Sequence, residues 1–311
     1  MVNCEICKEQ FGEDRSLHAH LKTHKMRVIE YYQSYVPRFD LFDGSIIKFK
    51  SKDQYLNTDF NTVASLRKWL ESKPREEAKE YCKNLLRRRK ERKKLIYAPT
   101  QVDLRSLKFP GVNYYNEIFG NYYQLCSELG LRSPYKKYEG ESFDSEFKPE
   151  HIIFVDSREQ RKLEFEGVPI EIKALKFGDY SLNDIVVSSN TYIERKSMAD
   201  LIGTLSGGLE RFKREISRSI ESQAKLIILV EENLKNCLDF RNLPNVYKKN
   251  TRVNPEYIFR NVRDLLSEFN SIQFLFVDGR LEASRVIKKI LLSGASLQEY
   301  DLQSLYDVNE L

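Results

Sequence analysis

The sequence has no apolar run of about 18 residues and does not open with a secretory signal pattern, which argues against a membrane or secreted protein. It contains only five cysteines, an odd number, and two of them are spaced as a metal-binding pair rather than as part of a disulfide framework. No internal repeat of solenoid length is present. We therefore expect an intracellular protein, in the cytoplasm of a host cell, including a phage-infected one, or in the nucleus if its source is eukaryotic.

Charge is divided unevenly along the chain. The 311 residues include 51 Lys and Arg against 46 Asp and Glu, a net charge of +5. Residues 1–138 carry a net charge of +10 and residues 139–311 a net charge of −5. A basic first part followed by an acidic second part predicts a nucleic-acid-binding region joined to a carboxylate-rich one. We expect DNA as the partner and no membrane.

Changes in composition divide the chain into six predicted segments. They are a compact unit (1–25), a basic and aromatic DNA-binding region (26–97), a small helical repeat (98–132), a polar linker (133–150), an α/β domain (151–295) and a tail (296–311). In the α/β domain, β-like runs alternate with helical stretches, which predicts a central mixed sheet. The predicted strands are Ile152–Val155, Ile185–Val187, Tyr192–Ile193, Leu226–Val230 and Phe274–Val277, and the predicted helices are Leu209–Ile220, Glu256–Phe269 and Ala283–Leu292.

Four potential zinc ligands lie in the first segment, where Cys4, Cys7, His20 and His24 follow the spacing C-x2-C-x12-H-x3-H. Two thiolates on a hairpin and two imidazoles one helical turn apart complete a tetrahedral Zn²⁺ site. The segment resembles a two-Cys, two-His zinc finger with a ββα fold. Because so small a unit has little core, we expect Zn²⁺ to provide its folding free energy and chelation to unfold only the first 25 residues.

The partner of this finger stays open between DNA and protein. The base-reading positions fall on Glu13, Ser16 and Ala19, and none of these is the Arg or Lys that reads guanine. We therefore favour an accessory clamp or a protein contact over a sequence reader. His18 lies off the ligand spacing and is expected to be a surface histidine.

A strongly basic run, the basic strip, occupies Leu86–Lys94. Charge runs are usually solvated helix faces, but this one lies in a basic region with Tyr81, Lys83 and Tyr97 beside it. That setting favours sequence-independent contact with DNA phosphates. The candidate DNA-binding residues are Arg87, Arg88, Arg89, Lys90, Arg92, Lys93 and Lys94.

Residues 98–131 carry P-T near the start, F-G in the middle and G-L at the end. Proline and glycine positions predict three short helices, the first ending before Phe109–Pro110, the second before Gly120 and the third at Gly130. The segment resembles the small helical repeat found beside the nuclease domains of homing endonucleases. The resemblance implies a helix-turn-helix-like DNA contact, although the aromatic residues would equally suit a small core. The candidate contacts are Tyr114, Tyr115, Asn116 and Asn121.

Asp179, Glu194 and Lys196 form a grouping suited to phosphodiester hydrolysis. This reaction needs hard cations that neutralise phosphate charge and lower the pKa of bound water, and Mg²⁺ prefers carboxylate oxygens. Residues at positions i and i+2 of a strand face the same side, so Glu194 and Lys196 should lie together, with Asp179 supplied from the preceding strand or turn. Lys196 would position or deprotonate the attacking water, or stabilise developing charge.

The longer pattern V-D-S-R-E, G-D-Y and I-E-R-K-S-M-A-D-L-I, within residues 152–292, resembles the XPF-type structure-selective nucleases with their signature G-D-x(n)-E-R-K-x3-D. The resemblance implies a restriction-endonuclease-like fold, Mg²⁺ or Mn²⁺ held by Asp179 and Glu194, and Lys196 as the catalytic lysine. It also implies supporting roles for further residues. These are Asp156 as an additional candidate ligand, Glu159 as either a ligand or a partner of the catalytic base, Arg195 and Asp200 as buttresses of the site, and Arg158 and Arg211 as contacts to phosphate or to the acidic groups.

Two further segments receive structural interpretations. Val277–Arg280 echoes the first acidic motif without an E-x-K partner, so we expect a strand end that enters a helix. The glycine-rich segment Leu201–Gly208 is predicted to be a mobile loop near the site rather than a phosphate cradle. About 19 residues follow Leu292, too few for the tandem helix-hairpin-helix module of eukaryotic XPF-type enzymes, so a junction or flap preference does not carry over.

The sequence thus predicts a metal-dependent DNA endonuclease whose first part holds DNA and whose second part cuts it. A homing-type or recombination-associated role in a phage or mobile element fits this combination of parts. The alternatives are a flap or junction repair nuclease, and a non-cutting DNA-binding regulatory protein that uses the nuclease fold as a scaffold. A homodimer through the nuclease domain is a further open possibility.

Overall fold

The computed structural model describes residues 1–49, 52–141, 143, 148–183, 190–243, 253–294 and 296–311. The chain forms two compact units, one of Met1–Arg89 with Leu107–Pro110 and the other of Lys90–Ser106 with Gly111–Leu311. The predicted strand Ile185–Val187 and part of the predicted linker lie outside the described residues. Within the part of the chain that is described, no helix is long and apolar enough to cross a membrane.

The first unit begins with the ββα arrangement expected of the finger. Strands β1 (Val2–Asn3) and β2 (Gln10–Phe11) pair antiparallel and precede helix α1 (Asp14–His20). The unit continues with helices α2 (Val28–Tyr35), α3 (Lys52–Asn57), α4 (Val63–Ser72) and α5 (Arg75–Lys93), the last of which extends beyond it.

The finger shares its core with the residues that follow it. Cys4, Leu17 and Leu21 belong to one buried cluster with the aromatic side chains of α2 and of the next segment. The backbone N–H of Glu5 donates a hydrogen bond to the hydroxyl of Tyr31 at 2.8 Å. Residues 1–25 are therefore packed as part of a larger core. The remaining members of that buried cluster are Tyr31, Tyr32, Ile47, Phe49 and Tyr55.

The second unit contains the three short helices predicted between residues 98 and 131, and this prediction is confirmed. They are α6 (Gln101–Ser106), α7 (Val112–Phe119) and α8 (Tyr122–Glu128). Gly120 ends α7 with a φ of 86°, a conformation that favours glycine, and the Asn121 side chain caps α8 by accepting hydrogen bonds from two backbone N–H groups. Helix α6 is attached to the end of the chain, because the Gln101 N–H donates to buried Asp301 at 2.6 Å.

A six-stranded mixed sheet forms the centre of the second unit, as predicted for an α/β fold. Its strands are β3 (Ile153–Asp156), β4 (Ile170–Lys173), β5 (Tyr180–Leu182), β6 (Thr191–Lys196), β7 (Lys225–Val230) and β8 (Ile272–Phe276). The order across the sheet is β4-β3-β5-β6-β7-β8. Strand β5 runs antiparallel to both neighbours, whereas β6, β7 and β8 are mutually parallel and β4 is parallel to β3.

Helices surround the sheet and create two apolar cores. They are α9 (Met198–Leu205), α10 (Leu209–Glu221), α11 (Leu234–Asp239), α12 (Pro255–Glu268), α13 (Gly279–Leu292) and α14 (Leu302–Asp307), with a 3-10 turn at Ser296–Glu299. Strand β7 is buried on both faces, because Ile227 and Leu229 enter one core and Leu226, Ile228 and Val230 enter the other.

Two segments differ from their predicted state. The prediction of a mobile loop at Leu201–Gly208 is wrong for the first part of this segment. That part belongs to helix α9 and buries Leu201, Ile202 and Leu205. Residues 296–311, interpreted as a tail, carry α14 and bury Leu302 and Leu305 in the core of the sheet. Val277–Arg280 forms the predicted passage from strand β8 into helix α13.

Candidate active site and metal centre

The three residues predicted to perform catalysis meet where β5 and β6 pair. Asp179 immediately precedes β5, and its carboxylate oxygen Oδ2 accepts a hydrogen bond of 2.7 Å from the backbone N–H of Arg195. In β6, the ammonium group of Lys196 donates to Glu194 Oε1 at 2.7 Å. The i and i+2 relation of Glu194 and Lys196 therefore brings both side chains to one side of the sheet, as predicted.

Gly178 explains why an aspartate can approach β6 so closely. Its φ is 58°, and a side-chain Cβ at this position would lie 2.7 Å from the carbonyl oxygen of Ile193. Any residue with a Cβ would have to push the two strands apart. The next backbone N–H, that of Asp179, donates to the same carbonyl at 2.7 Å. The G-D dipeptide thus fixes the position of the Asp179 carboxylate.

The electrostatic environment of Asp179 suits a divalent cation. Burial, followed by the negative charges of Glu194 and Glu159, raises the pKa of Asp179 to about 7, although the Arg195 N–H and the Lys196 charge act in the opposite direction. Two carboxylates that repel each other in a partly buried position are the oxygen donors that Mg²⁺ and Mn²⁺ favour. The donor set present therefore fits such an ion.

Replacing Asp179 by Asn should stabilise the metal-free protein at high pH. The folded pKa of about 7 lies above the usual aspartate value, so the folded state binds more protons than the unfolded state between these values and the stability falls as the pH rises. Asp179→Asn removes this loss and keeps an oxygen for the Arg195 N–H. We expect equal urea stability of variant and wild type at pH 4 and a gain on the order of 2–4 kcal/mol at pH 9. If the difference in free energy of unfolding between variant and wild type is the same at pH 9 as at pH 4, the raised pKa of Asp179 is contradicted.

Arg195 lies between Glu194 and Lys196 in the sequence of β6, so its side chain is on the opposite side of the strand. Its guanidinium contacts Glu159 at 2.9 Å and Glu231 at 2.7 Å, and the three side chains are largely buried. Glu231 follows β7, and its N–H donates to the carbonyl of Lys196 at 3.0 Å. Glu159 also accepts from the Arg161 N–H at 2.7 Å. Arg195 is thus held by two largely buried carboxylates, and its predicted role as a buttress of the site stays a prediction.

Asp156 lies at the end of β3 and is 1% exposed. Burial by itself would raise its pKa, but hydrogen bonds from Arg158 and from the Leu175 N–H outweigh burial and lower the pKa below the usual value. Arg158 donates to Asp156 through Nε at 2.7 Å, while most of its side chain is exposed. Since several N–H groups already occupy the Asp156 oxygens, its predicted role as a further metal ligand stays a prediction.

The two remaining predicted residues lie on the helices after β6. Asp200 is exposed and accepts from the Ser197 hydroxyl at 2.6 Å, while the Ser197 hydroxyl accepts from the Asp200 N–H at 3.1 Å. This reciprocal cap begins α9 directly after strand β6. Arg211 is exposed on α10. Contact of Arg211 with phosphate stays a prediction.

Sequence reasoning missed two glutamates near the site. Glu231 is one of the two partners of Arg195, and its position directly after a buried strand was the available signal. Glu215 on α10 has a raised pKa, caused first by burial and then by the charge of Glu194. It shares its helix with Phe212, whose ring centre lies 5.3 Å from the Lys196 ammonium. Nothing in the local sequence pattern distinguishes Glu215 from an ordinary surface glutamate.

A comparison with protein families identifies the segment that contains this site. Residues 155–290 match the family model described as the ERCC4 domain. This segment is an ERCC4 domain. It is the XPF-type nuclease domain, so the resemblance inferred from the motifs is confirmed and a restriction-endonuclease-like fold follows for the mixed sheet. The ERCC4 domain indicates a DNA nuclease.

Two solved structures show partial likeness. XPF from Aeropyrum pernix is 23% identical, with a TM-score of 0.34, and the alignment covers 49% of this chain and 71% of that one. XPF from Aeropyrum pernix in complex with DNA is 24% identical, with a TM-score of 0.33, and the alignment covers 44% of this chain and 61% of that one. At these TM-scores the likeness supports no further argument, and the ERCC4 assignment depends on the domain match. No curated protein sequence matches the chain significantly.

The four predicted zinc ligands converge on one point in the first unit. The ligand atoms of Cys4, Cys7, His20 and His24 all lie within 4.8 Å of one another. Cys7 Sγ is 3.2 Å from His20 Nε2, and Cys4 Sγ is 3.6 Å from His24 Nε2. A tetrahedral Zn²⁺ with bonds of about 2.0–2.3 Å requires ligand atoms about 3–4 Å apart. The cluster therefore fits a single Zn²⁺.

The basic strip does not form one exposed face. Arg87 is exposed and contacts Glu80 at 3.0 Å, but Arg88 donates to buried Asp59 at 2.7 Å and Arg89 is only 4% exposed. Lys90 donates to the Leu129 carbonyl at 2.6 Å. Arg92 and Lys93 are half-buried, whereas Lys94 is exposed. Of the seven candidates, Arg87 and Lys94 are therefore the most available for DNA.

Asp59 organises the side of α5 that faces the interior. It is 7% exposed and accepts hydrogen bonds from Arg38, from Arg88 and, at 2.8 Å, from the Tyr81 hydroxyl. Burial would raise its pKa, but these donors hold the pKa below the usual value. Part of the positive charge of the basic strip is thus used inside the protein.

Asp59→Ala should therefore destabilise the first unit markedly. The variant leaves two guanidinium groups and a hydroxyl without their shared acceptor, and we expect a loss on the order of 2 kcal/mol in urea unfolding. Asp43→Ala, at an exposed aspartate of the same unit, is the matched control, with an expected change below about 0.5 kcal/mol. Equal effects of the two substitutions would show that the Asp59 cluster contributes no special stability.

The helical repeat has no excess of positive charge. Tyr115 is completely buried, Asn116 accepts from the Tyr122 N–H at 2.8 Å, and Asn121 is the cap of α8. Its exposed charged residues are Glu117, Glu128 and Arg132, and Arg105 is paired with Asp307 at 3.0 Å. These positions favour the small-core interpretation for Tyr115, and DNA contact by the repeat stays a prediction.

Proposed function

We propose that this protein is a metal-dependent DNA endonuclease that hydrolyses phosphodiester bonds through its ERCC4 domain. The observation that carries the proposal is the meeting of Asp179, Glu194 and Lys196 at the β5–β6 pair, within residues that match the domain model. An intact set of these three residues favours an enzyme over a non-cutting regulatory protein. The ERCC4 match also favours a repair or recombination role, and it lends no support to a homing or phage role.

The residues divide the chemical work in a simple way. Asp179 and Glu194 would hold Mg²⁺ or Mn²⁺, which when bound supplies positive charge to the phosphate and acidifies water. Lys196, held by Glu194 at 2.7 Å, carries the positive charge that orients the attacking water or stabilises charge developing on the phosphate. Arg195 and its two glutamates keep β6 in place. Lys94 and Arg87 would add contacts to DNA phosphates, and Zn²⁺ would hold the finger.

The test is cleavage of a panel of end-labelled DNA substrates: single strand, duplex, flap and four-way junction. We expect cleavage of at least one substrate with Mg²⁺ or Mn²⁺ and none when Ca²⁺ replaces them, because Ca²⁺ supports coordination with a looser geometry. If no substrate of the panel is cleaved with Mg²⁺ or Mn²⁺, a non-cutting DNA-binding protein becomes the better-supported function. Light scattering at several concentrations tests the predicted homodimer.

A further inference from the structure

A hairpin in the first unit carries large apolar side chains into solvent. Phe39, Leu41, Phe42 and Ile46 are 54%, 52%, 44% and 55% exposed, and Phe39 pairs with Ile46 across an antiparallel bridge. We call residues 39–46 the apolar hairpin. Turn segments are usually built from Gly, Asp, Asn and Ser, but in this hairpin these residue types are limited to the buried Asp40 and to Asp43, Gly44 and Ser45 at the tip. A cluster of exposed apolar residues of this kind marks a binding surface.

The apolar hairpin is held rigidly, so its exposure is not that of a loose loop. Asp40 is 2% exposed, and its two carboxylate oxygens accept from the Phe42 N–H at 2.9 Å and from the Asn61 N–H at 2.7 Å. The Asp40 N–H donates to the Ser45 carbonyl at 2.8 Å, and the Leu41 N–H to the Asp59 carbonyl at 3.1 Å. A binding surface that is already ordered loses little conformational entropy when a ligand binds.

The charge around the apolar hairpin is positive. The first unit has 19 Lys and Arg against 13 Asp and Glu. Lys48 is exposed directly beyond the hairpin, and the Lys68 ammonium lies 5.8 Å from the centre of the Phe42 ring. Within the described residues, neither lysine forms an ion pair. Of the two acidic residues on the hairpin, Asp40 is buried, and the exposed Asp43 accepts from the N–H and hydroxyl of Ser45.

We propose that the apolar hairpin binds single-stranded DNA, with Phe39 and Phe42 as platforms on which unpaired bases stack and Lys48 and Lys68 beside the phosphates. Aromatic platforms next to cations are the combination that single-strand-binding surfaces use. A duplex hides the faces of its bases, so it gains little from exposed phenylalanines. The positive surroundings favour a polyanion over a protein as the occupant. The inference rests on the proposed function in that it takes DNA as the substrate, but it does not require cleavage.

The test compares single-strand and duplex binding by fluorescence anisotropy, with a labelled oligothymidylate and a duplex of equal length. The buffer contains neither Mg²⁺ nor a chelator, so that DNA is not cut and Zn²⁺ stays bound. We expect the double variant Phe39→Ala, Phe42→Ala to lose about tenfold or more in affinity for the single strand and less than about twofold for the duplex. Leu281→Ala, at a leucine of the second unit that is 90% exposed, is the matched control and should change neither affinity.

A fluorescence measurement at the hairpin itself complements this loss of affinity. Phe42→Trp keeps an aromatic platform, so single-strand affinity should be retained, and bases that stack on the new indole should quench its fluorescence. The wild type, with Trp69 as its single tryptophan, supplies the background.

Two results would overturn the proposal: unchanged single-strand affinity of the double variant, which would assign the surface to a protein partner, or equal losses for single strand and duplex. These outcomes are distinct from failure of the proposed endonuclease. That failure would appear as absent cleavage, whatever the hairpin variants do to binding.

Discussion

Lys196→Ala is expected to abolish Mg²⁺-dependent DNA cleavage and to leave DNA binding intact. In the proposed mechanism the Lys196 ammonium, which lies 2.7 Å from Glu194 Oε1, would provide a positive charge where water attacks the phosphate. Removing a proton-transfer group or a charge that stabilises the transition state costs about 100-fold or more in rate. Single-turnover cleavage of the preferred substrate measures this loss directly.

Asp179→Asn should give the same loss for a different reason. The amide cannot supply the anionic oxygen that a hard cation prefers, so metal binding itself weakens. Mg²⁺ should therefore raise the melting temperature of the wild type and of Lys196→Ala, and leave that of Asp179→Asn nearly unchanged. This difference separates a metal ligand from a residue that acts on water or phosphate.

The control for both variants is Lys225→Ala, which removes an exposed lysine at the start of β7 in the same sheet. Its cleavage rate should stay within about twofold of the wild type. Cleavage by Lys196→Ala at a similar rate, in a preparation free of other nucleases, would exclude Lys196 from the chemistry. The fold and the ERCC4 match would stand, but the assignment of the reacting groups would not.

The sequence was most informative where one residue type had to satisfy a strict geometry. The zinc ligands follow a spacing that a single ion imposes, and Glu194 and Lys196 follow the two-residue period of a strand. Asp179 could be assigned because Gly178 precedes it, and the structure shows that a Cβ there would collide with the Ile193 carbonyl. Each of these constraints acts between residues close in sequence or through one ion. For that reason each leaves a spacing pattern that can be recognised in the amino-acid sequence.

The spacing of buried residues along α5 shows which of its basic residues faces the interior, whereas the composition of the helix does not. On α5, Ala78, Cys82, Leu85 and Arg89 follow one another at intervals of four, three and four residues and are all buried. Arg89 therefore lies on the inner face, although the run of positive charge suggested a fully exposed strip. The same period of buried residues in α9 was masked by its glycine, which favoured a loop.

Long-range packing accounts for what could not be predicted. The partner of Arg88 is Asp59, 29 positions earlier, and the partner of the Gln101 N–H is Asp301, 200 positions later. Burial raises the pKa of Asp301 to about 6, against the hydrogen bonds it accepts from Gln101 and Ser304. Residues 296–311 resembled a tail because nothing in their own pattern shows that α6 and the sheet both pack against them.

Chelation of the Zn²⁺ that the cluster of Cys4, Cys7, His20 and His24 would bind is expected to unfold more than residues 1–25. The ββα unit buries Cys4, Leu17 and Leu21 in the same cluster as Tyr31, Tyr32 and Tyr55, so loss of the metal exposes both sides of that cluster. Structural Zn²⁺ sites contribute about 10–16 kcal/mol at neutral pH, which exceeds what one small core supplies. Hydrogen exchange should therefore lose protection in residues 1–49 and 52–59 after chelation, while strands β6 to β8 stay protected.

The control for this experiment is His18→Ala, which removes a histidine outside the cluster of four. His18 contacts the Tyr32 hydroxyl at 3.1 Å, so the variant is expected to lose some stability yet to keep one Zn²⁺ per chain, whereas His24→Ala should lose the metal. Protection lost only in residues 1–25 would show that the finger folds alone, as its sequence suggested. Full protection without metal would show that the shared aromatic core is sufficient, and that the four ligands do not hold a structural ion.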